Sequence, residues 1–188
     1  MFKAKKMYVG IVVACIFLIM TAIAGAAGQG LVSITFDLER IGGISSNQYA
    51  VWIEDSNGNY IKTLSATEFA AKKGFIKRTN TLPTWVKISN WLDSSETVVD
   101  SVSTATPGSG AVTVLWDGKD SQGQRVPAGT YVYKIEGNIF AANRVLWTGT
   151  IAIGKQSNSS VATAEYIPNK ELATEKGLFI SNVRSNYK

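Results

Sequence analysis

The chain has 188 residues, 45% hydrophobic and 18% charged, a composition that suits a globular protein able to bury a real core. It has no histidine, and its single cysteine, Cys15, lies in an apolar N-terminal run, so the rest of the chain lacks the usual general base, thiolate nucleophile and His/Cys metal site. The formal net charge is +5, but three of those charges are Lys3, Lys5 and Lys6 at the extreme N-terminus; the +2 left without them argues against a nucleic-acid partner.

Residues 1–26 read as a targeting segment. Lys3, Lys5 and Lys6 form a basic start, Met7 to Gly28 is uncharged, and Ala22-Ile23-Ala24 and Ala24-Gly25-Ala26 both offer a small-x-small cleavage pattern. This predicts a secretory signal peptide and a periplasmic or extracellular destination. An uncleaved anchor is the alternative, because 22 residues at ~1.5 Å each reach about 33 Å, enough to span a bilayer. Retention of that segment would be the only link to a membrane.

The predicted elements then follow in order. Leu31 to Leu38 alternates apolar and polar residues and reads as a strand. Tyr49 to Glu54 and Tyr60 to Leu64 flank Asn57-Gly58, which predicts a hairpin. Trp52 falls on the opposite face from Tyr49, Val51 and Ile53, so this strand should be covered on both sides. Ser65 to Glu68 fits a capping box leading into a short helix over Phe69 to Lys73, stopped by Gly74. Thr79 to Asp93, with Pro83, Trp85 and Trp91, reads as an irregular crossover loop with at most a helical turn. Glu96 to Val102 reads as a strand. Val112 to Glu136 reads as strand, tight loop and strand, a second hairpin, with Trp116, Tyr131 and Tyr133 in the core. Arg144 to Ile153 is a further strand with Trp147 on its buried face. Ser157 to Ser160 reads as a polar turn, Val161 to Tyr166 as an edge strand, Pro168 to Lys176 as a charged turn, and Leu178 to Val183 as a last strand before a polar tail. Roughly seven to nine short strands with regular turn signals predict an all-β protein: one antiparallel sandwich over 27–170, with a final strand and tail over 171–188.

Four segments carry a family resemblance: Tyr49 to Leu64 (YAVWIEDSNGNYIKTL), Leu82 to Trp85 (LPTW), Val99 to Pro107 (VDSVSTATP) and Trp116 to Tyr131 (WDGKDSQGQRVPAGTY). In this order they resemble the predicted periplasmic family known as domain of unknown function 2271. Thr104 departs from that pattern, which more often has Gly before Ala-Thr-Pro. The resemblance implies an exported immunoglobulin-like or fibronectin-like sandwich, to which the residue pattern adds one short helix and an irregular crossover loop. It implies no catalytic residues, and it links the chain weakly to extracytoplasmic flavin or iron redox systems, where it would be an accessory protein handling a ligand or cofactor. Residues 112–136 alone also resemble the Ig-like domain of flagellar hook-capping proteins, a likeness specific for a sandwich and unspecific for function.

No residue pattern points to catalysis. Ser101, Ser103 and Thr104 have no histidine to activate them. Asp37 with Glu39, and Glu54 with Asp55, sit near strand ends where acids are usually solvated. Asp117 and Asp120 on a glycine-rich loop suggest calcium only superficially; their spacing is not that of an EF-hand, and such aspartates ordinarily cap their own turns. The expectation is therefore a non-enzyme with no cofactor and no metal site, binding a protein partner at the cell envelope. Lys72, Lys73, Lys77 and Arg78 beside Trp85 and Trp91 form the candidate partner surface, the tryptophans either exposed for stacking or simply packed under the irregular segment. A structural or adhesive surface subunit is the other reading.

Overall fold

The computed structural model describes residues 30–43, 45–140 and 142–188. The expected signal peptide or anchor lies outside these residues. Among them no helix is long and apolar enough to cross a membrane.

Among the described residues ten strands form two sheets. Strands β1 (Val32–Leu38), β5 (Gly110–Trp116), β8 (Asn158–Val161) and β10 (Ile180–Tyr187) make a four-stranded sheet in the order β5-β1-β10-β8. Strands β2 (Gln48–Asp55), β3 (Tyr60–Thr67), β4 (Ser103–Thr104), β6 (Gly129–Phe140), β7 (Asn143–Ile153) and β9 (Thr163–Ile167) make a six-stranded sheet in the order β4-β3-β2-β6-β7-β9. All neighbours run antiparallel except β4, which lies parallel to β3. The all-β sandwich read from the sequence is present.

The main core fills the space between the sheets. Val32, Ile34, Phe36 and Leu38 of β1 meet Tyr49, Val51 and Ile53 of β2 and Tyr131, Tyr133 and Ile135 of β6, all buried. Period-two alternation thus places the apolar set as expected. Gly149 leaves room for Tyr133: a Cβ there would sit 2.2 Å from the tyrosine ring. Trp147 is half-buried at the margin of this core.

A second core lies on the outer face of the six-stranded sheet. Ala50, Trp52 and Ala66 project outward there and are covered by helices α1 (Glu68–Ala71), α2 (Pro83–Ser89) and α3 (Glu96–Val102). Strand β2 is therefore buried on both faces, as the position of Trp52 predicted.

Several expectations are corrected. The Val112–Glu136 stretch is not a hairpin. Its first strand, β5, pairs with β1 in one sheet and its second, β6, pairs with β2 and β7 in the other, so the loop between them bridges the two sheets. The residues still meet across the core, where the Trp116 and Tyr131 rings lie edge to face at 5.2 Å. Glu96 to Val102 is a helix rather than a strand: the Ser95 hydroxyl accepts the Val98 N–H, and Val99 and Val102 share one buried face. Ser65 does not cap a helix, because it is still within β3 opposite Val51, and the Thr67 hydroxyl donates to Gln48 Oε1 at 2.6 Å. Gly74 does not end the first helix; Lys73 takes the left-handed conformation at φ 61° and Gly74 opens a 3-10 turn. The crossover over Thr79 to Asp93 is largely ordered into α2, with Pro83 at its first turn, and a 3-10 turn at Trp91–Asp93. Ser157 to Ser160 is mostly strand β8, and Pro168 to Lys176 holds a short helix, α4 (Lys170–Ala173). The polar tail belongs to β10, which runs to Tyr187 between β1 and β8.

Candidate functional site

The tryptophans of the predicted partner surface are not exposed. Trp85 is fully buried and Trp91 is 1% exposed. Their rings pack at 4.7 Å, Trp85 Nε1 donates to Thr63 Oγ1 at 2.9 Å, and Trp91 Nε1 donates to the Ala71 carbonyl at 2.9 Å. They fasten the helical layer to the sheet and have no face left to stack on a ligand. Pro83 at the start of a helix was the sequence signal for this.

The four predicted cations are on the surface of that layer but divide into two pairs. Lys72 is ion-paired with Glu68, and Lys73 Nζ donates to the Ser94 carbonyl at 3.1 Å. Both line a shallow depression of about 310 Å³ that also contains Glu96 and Asp100, so acids accompany this pair. Lys77 and Arg78 line a different groove, of about 570 Å³, with Ser45, Ser46, Thr79, Asn80, Thr81, Asn138 and Phe140, and no acidic residue lines it. The Arg78 guanidinium rests over the Phe69 ring at 4.7 Å, which positions it without neutralising it. Lys176 Nζ stands 3.9 Å from the Phe140 ring at the groove's margin.

This groove lies at one end of the sandwich. Leu31 and Lys188 exchange backbone hydrogen bonds of 2.8 and 3.2 Å beside the start of β1. The strand's seven residues, about 20 Å, separate that end from the loop after Leu38 that walls the groove. The groove is thus built from the loop before β2, the segment between the 3-10 turn and α2, and the end of β6. Loops clustered at the end of a rigid sandwich are where such folds carry recognition. Sequence reasoning missed the contribution of Ser45, Ser46 and Phe140, which nothing local marks.

The remaining candidate chemistry is accounted for by structure. Asp120 accepts the N–H groups of Gln122 and Gln124 at 2.9 and 2.8 Å, and Asp117 accepts that of Lys119 at 3.2 Å, so both cap turns. Glu54 is not solvated as expected: it accepts Trp52 Nε1 at 2.7 Å and faces Lys134 at 3.2 Å. Glu136, unmarked in the sequence, is fully buried. It accepts the Trp85 and Thr84 N–H groups at 2.9 and 3.3 Å and faces Arg144 at 3.2 Å, while burial pushes its pKa up. Each of these buried acids is committed to its own cation and donors. Among the described residues no group of three or more His, Cys, Asp or Glu converges as a metal site.

A two-sheet, mainly antiparallel sandwich, plated with helices on one face and with a groove among the loops at one end, defines the class: an all-β sandwich domain. The chain belongs to the family described as predicted periplasmic protein (DUF2271), whose model matches residues 32–171. The description supports an exported location. No curated protein and no solved structure matches the chain.

Proposed function

We propose that the protein is a non-enzymatic accessory module of the cell envelope that binds a protein partner through its helical layer. The observation that carries this reading is the placement of exposed aliphatic side chains among the cations: Ile76 is 62% exposed between Lys73 and Lys77, and Leu92 is 54% exposed. An exposed aliphatic side chain gives a partner apolar area to bury, and the neighbouring cations supply a polar rim. The absence of histidine and the commitment of Glu54 and Glu136 to internal pairs support a non-enzymatic reading. An immunoglobulin-like character of the sandwich is supported by the bond from Tyr131 Oη to the Pro127 carbonyl, at 2.8 Å, the pattern of a tyrosine corner. Amine-reactive crosslinking in intact envelopes tests the partner. A discrete crosslinked species is expected, lost in Ile76→Ser with Lys77→Gln; only monomer, at the level of an unrelated exported protein, would contradict the reading.

The acid-free groove favours a second reading, in which the module handles a small ligand. Its volume of about 570 Å³ is within the range of small-molecule sites. Export is directed by the predicted signal peptide, which is removed as the chain crosses the membrane.

A further inference from the structure

We infer that the groove between the loop before β2, residues 77–81 and the end of β6 binds an anionic saccharide: a small polyhydroxylated molecule carrying a carboxylate or a phosphate. The inference deepens the ligand-handling reading and depends on it.

Three features of the lining argue for this class. The charge is one-sided, because Lys77 and Arg78 line the groove and no acid does. An exposed cation pair without a counter-ion attracts an anion, and a guanidinium fits a carboxylate or phosphate with two parallel hydrogen bonds. Of the polar lining, Thr79 and Asn80 are exposed and carry groups that both donate and accept, while Ser45 Oγ is turned to the Ile41 and Gly42 carbonyls and Thr81 and Asn138 are buried in the wall. Such a set suits a ligand covered in hydroxyls and suits an apolar one poorly. Phe140, 40% exposed at the groove, adds one apolar surface against which the C–H face of a sugar ring can lie.

Ser46 supplies an independent observation. Its Oγ is removed from solvent and has no hydrogen-bond partner. Buried polar atoms are nearly always paired, so an orphan in the wall of a polar groove marks a place where a partner is missing. A small shift of the wall would bare the Oγ for a ligand hydroxyl to supply that partner.

The partner face and the groove share Lys77, whereas Arg78, Ser46 and Phe140 are available to test the groove alone. Isothermal titration calorimetry of the protein recovered from the cell envelope, against D-glucuronate, D-glucose 6-phosphate and neutral D-glucose, tests the inference. One or both acids should bind and glucose should not. Which acid binds identifies the anion as carboxylate or phosphate. Arg78→Ser should weaken binding about tenfold or more, because one charge-assisted contact is lost. Arg78→Lys should restore part of the loss, and raising the salt concentration should weaken the wild-type interaction. Lys72→Ser, outside the groove, should bind as wild type. Equal binding of glucose would overturn the anionic class while leaving a ligand site. Binding of none of the three, or binding indifferent to Arg78→Ser in a variant with an unchanged unfolding midpoint, would overturn the groove assignment itself.

Discussion

Glu136 shows how single residues join the two halves of this molecule. Its carboxylate, on β6, accepts the first N–H groups of α2 and faces Arg144 of β7. An acid at a helix N-terminus is favourable, yet burial penalises its charge, and burial dominates: the pKa is raised above 4.5. A group whose folded pKa is raised contributes stability that is complete below its unfolded value and lost as pH rises through the folded one. The unfolding midpoint of the wild type relative to Glu136→Gln should therefore increase as pH falls from neutral toward about 4.5. Thermal melts of both proteins across that window measure it, and a difference that shrinks toward acid would refute the assignment. Trp116 makes a second residue-scale case. It is 1% exposed, packs on Tyr131 and donates from Nε1 to the Lys119 carbonyl at 2.8 Å. Trp116→Ala should cost about 3–5 kcal/mol in chemical unfolding. Burial of Trp116 was legible from alternation alone; that of Trp85 and Trp91 was not, because they cover the outer face of a sheet through helices whose period is hidden by their shortness.

At the scale of elements, alternation located the strands and left their partners open. Strands β5 and β6 each carry a clean apolar face, and a turn-rich loop joins them, which is also how a hairpin looks. Pairing depends on which edges are free in the assembled sheets, and that information lies in β1, β2 and β7. The Asn57-Gly58 hairpin was legible because its turn is geometrically specific: Gly58 has φ 82°, and the Asp55 carboxylate accepts the Asn57 and Asn59 N–H groups at 2.8 Å. Helix α3 was misread because adjacent β-branched Val98 and Val99 suggest a strand, whereas the Ser95 cap and the Val99 and Val102 contacts decide for a helix. Ser95→Ala should destabilise the protein by about 1 kcal/mol, measured by denaturant unfolding. A change near zero would mean that packing alone holds α3.

For the whole molecule, the arrangement separates scaffold from recognition. The family match ends at residue 171, but the four-stranded sheet is incomplete without β10, which lies between β1 and β8. Strand β10 also buries Ile180, Val183 and Tyr187 in the main core. A chain ended at residue 178 should lose cooperative unfolding, seen as a broad thermal transition and dye binding, because β1 would lose a neighbour and the core one wall. On this scaffold the helical layer and the loop-end groove are the two surfaces that the proposals above assign to other molecules. Neither was fully legible in the sequence: the cations were visible, but that Lys72 and Lys73 sit beside acids while Arg78 and Lys77 line a groove without one, Lys77 also reaching the depression that Glu68 lines, arises from folding. The most direct measurement of the account is a map of backbone amide chemical shifts as D-glucuronate or D-glucose 6-phosphate is added. Shifts should concentrate at Ser45 and Ser46, Lys77 to Thr81 and Asn138 to Phe140. Shifts scattered over the surface, or gathered on the outer face of the four-stranded sheet, would contradict it.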